Sequence, residues 1–263
     1  MHLRTVDAWR AGLYRPSHND AGTNVTGGMG ARPPVVGRSD KAGVRRWALV
    51  ALVAQVAFVG SWLIAASWQG PRYSVLAHSI SDMYAVGAPN GAFLVVVLTL
   101  CGAATILFAA LSLRPSLRPG GWRATVGSIL LALSIPGLGN LLTPFEREAC
   151  RLADPGCTAA AQLANSGGKL DAALSVVGLV LFVAAGFFLA SAMKRVPGWR
   201  RWARPTWWAT ALFIALLVAT VLADAVGLGG LFERLVAALG AAGVALLAAG
   251  VLRHSQSFIH PTA

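Results

Sequence analysis

Charge is the scarcest property of this sequence. Asp, Glu, Lys and Arg together make up 12% of its 263 residues, about half the share of about 25% that soluble domains carry. Acids are scarcer than bases, 10 against 22, and the mean hydropathy is +0.63. These values exclude an ordinary soluble domain. Placement excludes a nucleic-acid binder: its cations would line a groove of a soluble fold, whereas here the net charge of +12 lies in short stretches between apolar runs. Familiar catalytic signatures are missing as well. The chain holds no P-loop, no Gly-x-Ser-x-Gly elbow, no His-Glu-x-x-His pair and no c-type haem attachment motif. Soluble-type catalysis therefore has no candidate, and neither a cofactor nor a metal is implied. Within the apolar runs ionisable groups are nearly absent, with Gln55 marking the first. A proton-coupled transporter needs such groups near mid-membrane, and the two halves show no evident repeat.

What is present is a series of apolar runs of about 20 residues, the length that crosses a hydrocarbon core of roughly 30 Å at 1.5 Å per residue. Six are legible, at about 47–68, 91–113, 124–143, 169–193, 206–225 and 231–252, and Pro136, Gly137 and Gly139 interrupt the third. They predict an all-α, polytopic six-helix membrane bundle over residues 44–254. The Gly-Leu-Gly-Gly link at 227–230 is so short that the last two spans must be antiparallel neighbours. Residues 1–43 are rich in Gly, Pro and Arg without an apolar period, which predicts a disordered basic tail; Met29 offers an alternative start within it. Residues 255–263 read as a short C-terminal tail.

Basic residues set the orientation, because short loops rich in Lys and Arg stay cytoplasmic. Seventeen of them fall in the N-terminal tail, the 114–123 and 194–205 loops and the C-terminus, against five on the other side, where seven of the ten acids lie. Both termini are predicted to be cytoplasmic in a plasma membrane, with Trp47, Trp122, Trp199, Trp202, Trp207 and Trp208 at the inner boundary. Nineteen arginines against three lysines, among abundant Ala, Gly and Val, read as the composition of a high-GC bacterial genome. Cys101 lies within the second span as a small buried residue. Cys150 and Cys157 share an outer loop, where a disulfide persists; a metal site is the weaker alternative, since no His accompanies the pair at zinc spacing.

Polar residues gather at the outer ends of the spans. The 72–90 segment is too short and polar to cross, but its period suits an interfacial or re-entrant helix. There His78 and Asp82 would share a face at i, i+4, where a hydrogen bond fixes the imidazole tautomer, as a general base requires. The competing reading is that both tie down the loop together with Ser79 and Ser81. Asp171 and Glu233 fall in expected first helical turns, where the helix dipole stabilises them. Asp224 falls at the negative end of a span and needs a partner. Arg234, across the glycine turn, is the candidate, and the alternative is that the two face a substrate. Asn140 adds a polar group beyond the Pro136 break, where freed carbonyls must be satisfied by neighbours, water or a ligand.

The stretch HSISDMYAVGAPNGAF, from His78 to Phe93, resembles the leading motif of a bacterial membrane family, domain of unknown function 998, and GLFERL, from Gly230 to Leu235, is similar to its closing motif. The resemblance spans about residues 45–252. It implies a six-helix bundle with family positions at Ser81, Asp82, Gly87, Pro89 and Arg234. Where many members carry a His before the fourth span this chain has Lys169 and Asp171, which weakens a catalytic His there. A more distant similarity, in span number and outer-loop pattern, is to the six-span Frag1, DRAM and Sfk1 family of lipid organisation and autophagy regulation. No biochemical activity follows from either. The reading that best fits is a non-catalytic protein with an outward-facing polar pocket around Ser81, Asp82, Asn140, Asp224 and Arg234. Such a pocket would bind lipid headgroups, a membrane protein partner or a second copy of the chain. The alternatives are a lipid hydrolase or transferase using His78 and Asp82, with Arg234 on an anionic headgroup, and a small-solute transporter.

Overall fold

In lipid a backbone must satisfy its own hydrogen bonds, so apolar runs of this length become helices. The computed structural model describes residues 38–256; residues 1–37 of the expected tail and 257–263 of the C-terminal one lie outside the described residues. The six longer helices among the described residues are α1 Arg38–Ala66, α2 Gly91–Phe108, α3 Trp122–Leu133, α4 Ser166–Met193, α5 Arg200–Asp224 and α6 Gly229–Gln256. α2 continues through a π turn at Ala109–Leu113 to Ser116. Five helices are long and apolar enough to cross a membrane, and α3 with the Ile135–Phe145 arm makes a sixth span bent by 41°. No strand occurs among the described residues. Residues 38–43, expected as tail, are the first turns of α1, since nothing between them and Trp47 stops a helix.

The bend has a local cause. Ser134 is extended at ψ 178°, and Pro136 has no N–H to offer. The chain turns on the Ser134 carbonyl, which accepts from Gly137 N at 3.0 Å and Gly139 N at 3.3 Å, while the Ser134 hydroxyl donates to Leu131 O at 2.7 Å. The arm beyond lies so close to α2 that a Cβ on Gly102 would collide with the backbone of Gly137, Asn140 and Leu141.

Each segment packs on its neighbours in sequence, and α6 closes the ring against α1. α1 and α2 are stitched inside by Gln55 Nε2 donating to Thr105 Oγ1 at 3.1 Å and Cys101 Sγ donating to Ala54 O at 3.1 Å. The apolar core has two large clusters and a small third one between α1 and α2, at Ala54, Cys101 and Ala104. One large cluster, around Phe108, Leu117, Leu189, Met193, Trp199 and Val251, fills the end that carries the basic loops. The other large one, around Trp62, Met83, Tyr84 and Leu94, fills the end that carries the 67–90 and 146–165 loops. Outward faces are apolar, as a lipid contact requires: Val56, Val180 and Val221 are 69%, 65% and 76% exposed. Trp199 departs from the expected interfacial belt. Its 3₁₀ turn, Pro197–Trp199, tips the ring into the core, where it lies 4.9 Å from the His254 ring.

Candidate functional site

At the end bearing the two long loops, the first turns of α6 act as a clamp. Arg234 is buried, and its guanidinium donates to Val75 O at 2.9 Å, His78 O at 2.8 Å, Gly230 O at 2.8 Å and the Tyr73 hydroxyl. Tyr73 passes its own proton to Ser79 O at 3.1 Å; burial, opposed by Arg234, pushes that phenol up to about 12. Gly230 lies against the His78 carbonyl with no room for a Cβ, Leu231 N donates to Leu76 O at 3.0 Å, and the Glu233 carboxylate accepts from Ile80 N at 3.0 Å. Expected and observed partners differ here. Asp224 is exposed on the far side of the turn, and the ion pair found at this end is Arg151–Asp154 at 3.5 Å. Two loop carbonyls, Val75 O and His78 O, and one from the first turn of α6, Gly230 O, take the Arg234 charge instead.

The 72–90 segment is a chain of turns with one 3₁₀ turn at Ser81–Met83, not an interfacial helix. His78 Nδ1 accepts from Ser74 N at 2.8 Å. The fully buried Asp82 accepts from Leu152 N and Ala153 N, and Ser79 Oγ takes its own N–H at 3.1 Å. The His78–Asp82 hydrogen bond is therefore not made, because the free amides of the facing loop hold the carboxylate first. Burial raises the Asp82 pKa, and those two amides with the nearby His78 and Arg151 charges pull it back. The facing loop is closed by a disulfide between Cys150 and Cys157 with Cα atoms 6.0 Å apart. Arg151 Nη2 donates to Gln69 O at 3.0 Å and Oε1 at 3.1 Å, and Arg147 donates to Tyr84 O at 2.8 Å and Ala85 O at 3.0 Å. All three buried or half-buried arginines of this end thus hold loop backbone.

Beneath this lid, inside the ring, is a cavity of about 340 Å³. Ser81, Tyr84, Asp171 and Glu233 line its lid end, Gln55, Asn140, Ser175 and Thr220 add neutral polar groups, and the remaining wall is largely apolar, including Phe58, Leu98, Phe182 and Phe213. Of the residues expected to bind, Ser81 and Asn140 reach the cavity, whereas Asp82 and Arg234 serve the lid and Asp224 stands outside. No group of three His, Cys, Asp or Glu side chains able to hold a metal occurs among the described residues.

Four cavity or near-cavity groups were not assigned to a site from sequence: Tyr84, Glu146, and Asp171 and Glu233, the last two ascribed there to helix dipoles. α4 begins at Ser166, capped by Asn165 accepting from Gly168 N at 2.7 Å, and α6 begins at Gly229. Asp171 and Glu233 therefore sit beyond the first turn, where the dipole's help has largely faded, and their placement calls for another account. The Asn-Ser-Gly-Gly cap at 165–168 was the signal available. Tyr84 Oη donates to Asp171 at 3.4 Å; burial raises its phenol well above the ordinary value, and the carboxylates of Asp171, Glu146, Glu148 and Glu233 add to the rise. Glu148 accepts from Ser81 Oγ at 3.2 Å and Gln162 Nε2 at 2.7 Å. Glu146 is buried, and its Oε1 has no hydrogen-bond partner. Burial first, and the Asp171 charge second, push both glutamates up to about 8.

No curated protein and no solved structure matches the chain. A family model described as "Protein of unknown function (DUF998)" matches residues 52–250, which span every residue lining the cavity, and the chain belongs to that family.

Proposed function

We propose that this protein is a bacterial plasma-membrane protein that binds an amphiphile, a lipid or lipid-like molecule, in the cavity beneath the lid, with both termini cytoplasmic and the lid outside. One observation carries the reading: a cavity of about 340 Å³ has its ionisable groups, Tyr84, Asp171 and Glu233, gathered at one end and a mainly apolar wall over the rest. That division matches a molecule with a polar head and an apolar tail, and the size falls in the usual range of ligand sites, about 300–1,000 Å³. The asymmetry of basic loops supports the orientation, and a disulfide in the lid suits an oxidising compartment. Hydrolysis or transfer through His78 and Asp82 draws no support from two side chains that are each committed to backbone amides.

The test is native mass spectrometry of the purified chain beside Ser175→Phe and Ala237→Phe, which each fill the cavity from a different helix. The wild type should retain a selective set of lipids, and both variants should lose it while their helical circular dichroism stays the same. Equal retention by all three proteins would remove the cavity as the binding site.

A further inference from the structure

We infer that the head of the bound amphiphile is a cation, an amine or quaternary ammonium, lodged between Asp171 and Glu233. The inference rests on the cavity being a binding site and adds the chemistry of what it selects. Both carboxylates line the cavity, and each receives one protein hydrogen bond, from Tyr84 Oη at 3.4 Å and from Ile80 N at 3.0 Å. An ionised carboxylate has about four acceptor sites, so each retains capacity to accept from a ligand in the cavity it lines. A further acid is close behind: Glu146, 5% exposed, lies within electrostatic reach of Asp171 with its Oε1 unpartnered.

Among the described residues no ion pair to Asp171 or Glu233 is found, and the buried or half-buried arginines of the lid are engaged elsewhere. Arg147 is spent on the carbonyls of Tyr84 and Ala85, Arg151 on Gln69 and Asp154, and Arg234 on three carbonyls and Tyr73. The Arg234 charge does reach its neighbour Glu233 through space, but its N–H groups point at the lid and no ion pair forms with Glu233. An anionic head, such as a bare phosphate or sulfate, would meet carboxylates here and no free donor. A cationic head would meet two carboxylates and, below them, the apolar wall that takes its chain. Its nitrogen could belong to a phosphate-free amine or to the outer part of a zwitterionic phospholipid head.

Four amphiphiles of one chain length separate these cases: dodecyltrimethylammonium, dodecylphosphocholine, dodecanol and dodecanoate. Each is titrated, below its micelle concentration, against the full chain in a neutral maltoside detergent, with Kd read from tryptophan fluorescence. Dodecyltrimethylammonium should bind about tenfold more tightly than dodecanol, and dodecanoate most weakly. The Asp171→Asn/Glu233→Gln double variant keeps both hydrogen-bond acceptors, so it should bind dodecanol as the wild type does and lose the cation's tenfold advantage. Dodecylphosphocholine matching dodecyltrimethylammonium would assign the cation to a phospholipid head; tenfold weaker binding would assign it to a phosphate-free amine. Equal binding of all four, abolished by Ala237→Phe, would overturn the cationic head and leave the cavity as a site. Binding of all four that Ala237→Phe leaves unchanged would overturn both. A cation preference that survives in the double variant would also overturn the assignment.

Discussion

Arg234 does the work of a clamp without an ion pair to a carboxylate, and that has a measurable consequence. Removing the guanidinium leaves the Val75 and His78 loop carbonyls without this donor, at roughly 1–3 kcal/mol for a buried polar group left unmet. Arg234→Ala should therefore destabilise the bundle by about 2–4 kcal/mol, seen as a lower midpoint of thermal unfolding in detergent. Arg234→Lys should recover only part of the loss, since a point-like ammonium cannot span acceptors arranged around a planar fork. A melting curve for Arg234→Ala that overlays the wild type would remove the clamp. The importance of Arg234 was legible in the sequence; its partner was not. Glu233 is adjacent and Asp224 lies across the glycine turn, but carbonyls presented by a turn 156 residues away leave no trace in local spacing. Glu148 yields a second prediction at this scale. Its carboxyl is pushed up to about 8 by burial, with the Asp171 charge adding to it, so the folded state holds a proton that the unfolded chain releases near the ordinary glutamate value. Its contribution to stability is present below pH 4.5 and is lost as pH rises towards 8. Unfolding midpoints should fall between pH 5 and pH 8, and Glu148→Gln, neutral throughout, should flatten that slope. An unchanged slope in the variant would assign the dependence elsewhere.

Among elements, the disulfide loop and the broken third span position the site, and they differ in how far the sequence revealed them. The break is written in Pro136 and its flanking glycines, so a kink there follows from chemistry that any chain obeys. Helix starts are harder. An Asn165 cap four residues before the expected start of the fourth span moves Asp171 from the first turn to the second, and the dipole explanation disappears with it. The 72–90 segment shows the same limit, because its amphipathic period is real but Asp82 is captured by Leu152 and Ala153 across a fold that periodicity does not encode. Those two amides lie within the loop that Cys150 and Cys157 close, so the disulfide and Asp82 form one unit. Cys150→Ser/Cys157→Ser should cost about 2–3 kcal/mol on the chain-entropy account of so short a loop. Combined with Asp82→Asn, the loss should be smaller than the two separate losses together, as coupled neighbours show by about 0.5–3 kcal/mol. Strict additivity would mean that the loop holds its shape without the crosslink and that Asp82 is tied to it only incidentally.

At the scale of the whole molecule the all-α, multi-span architecture was legible because hydrocarbon leaves a chain so few choices, while the cavity was not, since it arises from closing α6 onto α1. That closure puts every basic loop at one end and the acid-lined cavity and disulfide at the other. Orientation is then a single choice that fixes three properties together. If the basic end is cytoplasmic, alkaline phosphatase fused at residue 118 or at the C-terminus should be inactive, and fused at residue 165, after the third span, it should be active. In intact cells Cys150 and Cys157 should resist thiol labelling until a reductant is added, since their compartment would be oxidising. The opposite pattern, with an active C-terminal fusion and free thiols, would place the carboxylates of Asp171 and Glu233 towards the cytoplasm. A mixed pattern, with inactive C-terminal phosphatase but free thiols, would keep the orientation and limit the disulfide to a minor population. The two assays therefore test separately what the charge asymmetry and the loop each contribute.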